Sequence, residues 1–97
     1  MNRLMAKTRI LAVDDEVNVL KFLRANLEDA GYDVITAING ADALAMVEKE
    51  LPDMVMVDIT MPVMDGFEVC RRLREWTNMP IIVLTARGDQ TDILKAF

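Results

Sequence analysis

Histidine and serine are absent from this 97-residue chain, and cysteine occurs once, at Cys70. A Ser-His-Asp triad, a Cys-His pair and a zinc site built on imidazole are therefore excluded, and a lone thiol forms no internal disulfide. Glycine and proline are sparse, at four and three residues, which sets aside collagen-like and low-complexity disordered chains. No apolar run approaches the roughly 20 residues that span a bilayer, and no signal-peptide core follows Met1. A soluble, cytoplasmic chain is expected. Basic residues are outnumbered 11 to 16, for a net charge of -5 and a pI near 4.6. That is the wrong sign for a chain that grips nucleic acid by itself.

What the chain does contain is apolar material, 53% of its residues, enough for one core and one domain. Four short runs concentrate it: Ile10 to Val13, Val34 to Ala37, Met54 to Val57 and Ile81 to Leu84. They are near-continuous in apolar character, the pattern of parallel strands covered on both faces. Each interval between them is long enough for a helical crossover and too long for a hairpin.

The intervals carry helical periodicity. Leu20, Leu23, Leu27 and Ala30 share one face of the first, with Val19 and Phe22 alongside and Gly31 as the stop. Asn39 and Gly40 open the second, which runs through Ala43, Leu44, Val47 and Leu51 to Pro52. Asp65 and Gly66 open the third, with an apolar stripe of Phe67, Cys70 and Leu73 and with Arg71, Arg72 and Arg74 on the solvated faces. Cys70 reads as packing, and Trp76 as a partly buried anchor. After a loop at Gly88 to Gln90, Thr91 to Phe97 is expected to begin a fourth helix. The order βαβαβαβα argues for an α/β fold, an open parallel sheet with right-handed crossovers and helices on both sides, in three layers.

In such sheets ligand sites collect at the carboxyl ends of the strands. The first run ends in Asp14 and Asp15, followed by Glu16; the third ends in Asp58; the fourth ends in Thr85. Each acidic residue alone could be a turn former or helix cap. Asp58 resists that reading, because it follows a wholly apolar run at the mouth of the sheet. Brought together, these carboxylates repel unless a cation neutralises them. With oxygen as the only donor type, magnesium or manganese is favoured over zinc. Asp58 is then a candidate nucleophile toward phosphorus as well as a metal ligand, and the Thr85 hydroxyl a candidate donor to a transferred oxygen.

The segments Leu11-Ala12-Val13-Asp14-Asp15-Glu16, Val55-Met56-Val57-Asp58 with Met61-Pro62 and Met64-Asp65-Gly66, and Pro80-Ile81-Ile82-Val83-Leu84-Thr85-Ala86 resemble, in this order and spacing, the receiver domain of two-component response regulators. The resemblance runs from about Thr8 to Phe97, within a single domain over residues 1–97. It implies a flavodoxin-like fold with strand order 2-1-3-4. It also implies a phosphoryl group accepted on Asp58 from a partner histidine kinase or phosphotransfer protein, magnesium held by Asp14, Asp15, Asp58 and the backbone carbonyl of Thr60, and a switch at Thr85. Thr60 and Arg87 match variable positions that tune the lifetime of the phosphorylated state. Pro62 matches the proline after the acceptor, and Gly66 a turn glycine opening the third helix.

Relative to that family, the chain is expected to stop before the fifth strand, the fifth helix and the lysine that ends the fifth strand; neither Lys7 nor Lys95 matches that lysine. The fourth strand is then expected to be an exposed edge, and self-association through it follows. Two other readings of the residues remain: a receiver acting only as a protein-interaction module without stable phosphorylation, and a magnesium phosphatase or mutase. The latter needs an acidic residue two positions after the nucleophile, where this chain has Thr60.

Overall fold

The computed structural model describes residues 7–87 and 90–96, with side chains described for 7–84. Four parallel strands, β1 (Arg9–Val13), β2 (Asp33–Ala37), β3 (Met54–Asp58) and β4 (Ile81–Arg87), alternate with three helices, α1 (Val17–Asp29), α2 (Gly40–Glu50) and α3 (Gly66–Leu73). The parallel strands lie in the order β2-β1-β3-β4. The expected flavodoxin-like order is therefore present. Winding reverses between β1 and β3, so the carboxyl ends of these two strands form the crevice where ligands bind in such sheets.

Period-two alternation divides the strand residues between two layers of core. Leu11, Val13, Val55, Val57, Ile81 and Val83 face α2 and α3, meeting Ala43, Val47, Val69 and Leu73. Ala12 and Val34 face the other way, against Leu20, Leu23 and Leu27 of α1. Cys70 is buried in the first cluster, as expected of a packing cysteine. Two aromatic residues depart from their expected places. Phe67, assigned to the apolar stripe of α3, is 52% exposed, and Trp76 is 50% exposed, more a surface residue than an anchor. The buried face of α3 is instead Val69, Cys70 and Leu73 with Gly66, a stripe that begins one residue before Phe67.

Local chemistry explains the helix ends. The Asn39 side chain accepts from the Asp42 backbone N–H at 2.7 Å and the Asp65 side chain from the Glu68 N–H at 2.9 Å, each satisfying an otherwise unpaired donor of the first turn. Gly31, with φ of 102°, supplies the left-handed residue after α1. At the amino ends of the strands, Arg9 joins Asp33 at 2.8 Å and Glu50 at 3.2 Å, while its backbone N–H reaches Asp53. One guanidinium thus ties β1 to β2 and α2, at the end of the sheet away from the aspartates.

The segment expected to open a fourth helix is instead a strand, β5 (Gln90–Ala96), antiparallel to β4 in a register running from Arg87↔Gln90 to Ile81↔Ala96. The reason is the edge itself. β4 otherwise presents a row of unpaired backbone donors and acceptors. Gly-Asp, the pair between the two strands in sequence, is also a hairpin signal. The pairing covers the outer edge of β4, which was expected to be exposed. β4 is also longer than its apolar run, continuing two residues past Thr85.

Candidate functional site: an acidic rim at the carboxyl end of the sheet

Register builds the site. Val13 pairs with Val57 across β1 and β3, so Asp14, one residue beyond, comes level with Asp58 at the end of β3. Asp14, Asp15 and Asp58 each offer a carboxylate oxygen, and these three oxygens all lie within 4.8 Å of one another. The three aspartates singled out in the sequence are thus brought together, from two strands whose neighbours in the sheet fix their heights. The Asp14 N–H donates to the Ala37 carbonyl at 3.2 Å and the Ile59 N–H to the Leu84 carbonyl at 2.9 Å, pinning the main chain on either side of the cluster.

Asp14 is buried, at 7% exposure. Asp58 is half-buried, and Asp15 and Glu16 are exposed. Burial raises the Asp14 carboxyl from its usual 3.8 to about 6, opposed by the hydrogen bond from the Glu16 N–H and reinforced by the negative charges of Asp58, Asp15 and Glu16. Burial likewise raises Asp58, opposed chiefly by the Thr60 N–H, with Asp15 and Glu16 adding repulsion. Both backbone donors are close: Glu16 N–H to Asp14 Oδ1 at 2.8 Å, and Thr60 N–H to Asp58 Oδ1 at 3.2 Å. The cluster is held together at an electrostatic cost that the protein's own dipoles only partly offset.

The capping alternative for Asp15 and Glu16 fails. Glu16 is the N-cap residue of α1 by position, and no side chain caps that helix. A set of three carboxylates, with no thiolate or imidazole and with the Thr60 main chain next to Asp58 Oδ1, fits a small hard divalent cation. Thr85 follows Leu84, the register partner of Asp58 on β4, which puts its backbone one strand from the cluster; its hydroxyl and the side chain of Arg87 lie outside the described residues. Asp15 and Glu16 leave the outer side of the rim exposed to solvent. A groove of about 570 Å³ lies beside it rather than over it, lined by Val63, Met64, Phe67, Glu68, Arg71 and Arg72.

Two features escaped the sequence reading. Val63, fully exposed, has φ of 68°, and across it the Met64 N–H donates to the Pro62 carbonyl at 2.7 Å, the geometry of a strained three-residue turn. Gly66, expected as a turn glycine, is not among the glycines with positive φ. Its requirement is space, because a Cβ there meets the backbone of Asp58 and Ile59.

Comparison with known proteins agrees with this geometry. A family model, the response regulator receiver domain, matches residues 10–97. The chain belongs to that family. It is 46% identical over 86 residues to the probable transcriptional regulator ycf27 of Porphyra purpurea, covering 89% of this chain and 35% of the relative. It is 47% identical over 85 residues to the alkaline phosphatase synthesis transcriptional regulatory protein PhoP of Bacillus subtilis, covering 87% and 35%. The chain thus spans about a third of the length of these curated relatives. Among solved structures, it superposes on the chemotaxis protein CheY4 of Vibrio cholerae with a TM-score of 0.81 at 38% identity, over 87% of this chain and 72% of that one. It matches the response regulator TrrA of Thermotoga maritima, solved in complex with Mg(2+)-BeF, with a TM-score of 0.79 at 40% identity, over 84% and 71%. Receiver domains bind Mg2+ at an acidic pocket and interact with histidine kinases or phosphotransfer proteins. No helix among the described residues is long and apolar enough to cross a membrane.

Proposed function

We propose that this chain is a phosphoacceptor: Asp58 takes a phosphoryl group from the phosphohistidine of a partner kinase or phosphotransfer protein. The observation that carries this reading is the convergence of Asp14, Asp15 and Asp58 within 4.8 Å at the mouth of the sheet. An Asp58 carboxylate oxygen forms the new O–P bond while the P–N bond breaks, its electron pair staying on the departing imidazole. Asp14, Asp15, Asp58 and the Thr60 carbonyl would hold magnesium, which when bound neutralises the charge on the transferred oxygens.

The chain's own residues do the rest. The Thr60 N–H, on Asp58 Oδ1, orients the carboxylate and favours its ionised, nucleophilic form. The Glu16 N–H holds Asp14 in the same way. A rim exposed on its outer side suits the encounter, since the donor is the side chain of another protein and must reach Asp58 from solvent. Thr85, on the strand beside Asp58, would supply a hydroxyl to the phosphoryl oxygens and respond to their arrival. The curated relatives are named transcriptional regulators, and we assign this receiver to the same kind of pathway. Transcription is then controlled by the regulator as a whole; the acidic receiver itself contacts no DNA.

The test is intact mass after incubation with acetyl phosphate, with and without magnesium, for the wild type and Asp58→Asn. A single magnesium-dependent phosphate adduct, lost in Asp58→Asn, is expected. A folded wild-type chain that acquires no adduct overturns the reading in favour of a protein-interaction module.

A further inference from the structure

Gly66 stands where the first turn of α3 meets the end of β3. A Cβ built on it would lie 2.6 Å from the Asp58 carbonyl oxygen, 2.9 Å from the Ile59 Cα and 3.0 Å from the Asp58 carbonyl carbon. All three are backbone atoms, so no side-chain rotation relieves the contact. The Gly66 N–H also donates to the Ile59 carbonyl at 3.1 Å. The helix therefore rests directly on the main chain that links the acceptor carboxylate of Asp58 to the carbonyl of Thr60. Gly40 provides the contrast: the three atoms nearest a Cβ there all belong to the Met64 side chain, not to backbone.

We propose that Gly66 is a positioning residue for the metal and phosphoacceptor site: by letting α3 approach without a side chain, it sets the Asp58–Thr60 main chain at the height where the Asp58 carboxylate and the Thr60 carbonyl converge on one cation. This inference rests on the phosphoacceptor reading above. Added bulk at Gly66 requires a separation of about half an ångström or more before carbon contacts become ordinary. Two sides could yield. α3 is anchored by Val69, Cys70 and Leu73 in the core, whereas the loop beyond Ile59 has one buried side chain, Met61, and exposes Thr60, Pro62 and Val63. The displacement therefore goes into the segment that carries the ligands. A misplacement of this size weakens a geometrically demanding site far more than it weakens a core.

The experiment compares the wild type, Gly66→Ala and Val47→Ala, the last a cavity in the core on α2, in buffer with sucrose to favour the folded state of all three. Magnesium affinity is read by calorimetry, melting temperature by circular dichroism, and the acetyl phosphate adduct by mass. Gly66→Ala is expected to bind magnesium at least tenfold more weakly and to form the adduct correspondingly more slowly, while Val47→Ala lowers the melting temperature and leaves the magnesium affinity unchanged. A folded Gly66→Ala chain with wild-type affinity overturns the assignment and leaves the phosphoacceptor reading standing. So does a Gly66→Ala chain that stays unfolded in sucrose, since Gly66 would then be a requirement of the fold itself. Equal loss of affinity in Val47→Ala also overturns it. A folded wild type that neither binds magnesium nor forms the adduct overturns both readings together.

Discussion

Asp14 and Asp58 leave adjacent parallel strands one residue past the paired Val13 and Val57, and burial at this rim, reinforced by neighbouring negative charges, makes each carboxyl harder to ionise. The folded chain holds the Asp14 proton up to about pH 6, against an ordinary value of 3.8. A raised carboxyl is bound more tightly by a proton in the folded state than in the unfolded one. Its contribution to stability is therefore greatest in acid and is lost as pH rises from about 4 to 6.

Asp14→Asn should remove that loss, because the amide oxygen can still accept from the Glu16 N–H. In metal-free buffer, urea unfolding is expected to find Asp14→Asn more stable than the wild type by about 2 kcal/mol above pH 6.5. The difference should shrink toward zero near pH 4. A gap that does not vary with pH would mean that the carboxyl is not under this strain.

Most of the architecture was legible because it is written in short-range pattern. Four apolar runs, helical spacing between them and capping residues such as Asn39 and Asp65 suffice for the order of elements, and the Asp14, Asp15 and Asp58 cluster follows from strand ends alone. What was not legible depends on contacts distant in sequence. Residues 91–96 pair with β4 as a strand, along an edge that exists only once the sheet is assembled. Arg9 finds Asp33 and Glu50 only once β1, β2 and α2 are assembled. Gly66 looked like a turn residue because its need for space arises from Asp58 and Ile59, atoms that no local rule places beside it.

Val63 offers a way to gain stability. A β-branched residue with φ of 68° is strained by about 1–3 kcal/mol, and its fully exposed side chain recovers none of this by burial. Val63→Gly relieves the strain at an unfolded-state entropy cost of about 0.5–1 kcal/mol. A net stabilisation of about 1 kcal/mol is expected in chemical denaturation, and an unchanged or lower midpoint would show that the turn is not strained.

Asn39 should matter through its cap alone. Its side chain accepts from the Asp42 N–H and the residue is exposed, so Asn39→Ala should cost about 1 kcal/mol and Asn39→Gly only a few tenths. Measuring the two side by side separates a lost cap from a general intolerance at this position, for which both substitutions would cost alike.

Asp15 is the sharpest probe of the metal site, because its carboxylate caps no helix and takes no hydrogen bond or ion pair among the described residues. Removing its charge from a cluster of like charges should leave the metal-free melting temperature unchanged or slightly higher. Magnesium at ten times its dissociation constant stabilises a folded chain by about 1.4 kcal/mol, a rise of roughly 6–11 °C for a domain of this size. The wild type should show that rise, and Asp15→Asn should lose most of it. Thermal unfolding of both proteins in EDTA and in millimolar magnesium decides the matter. An equal rise in the two would mean that Asp15 is not a ligand.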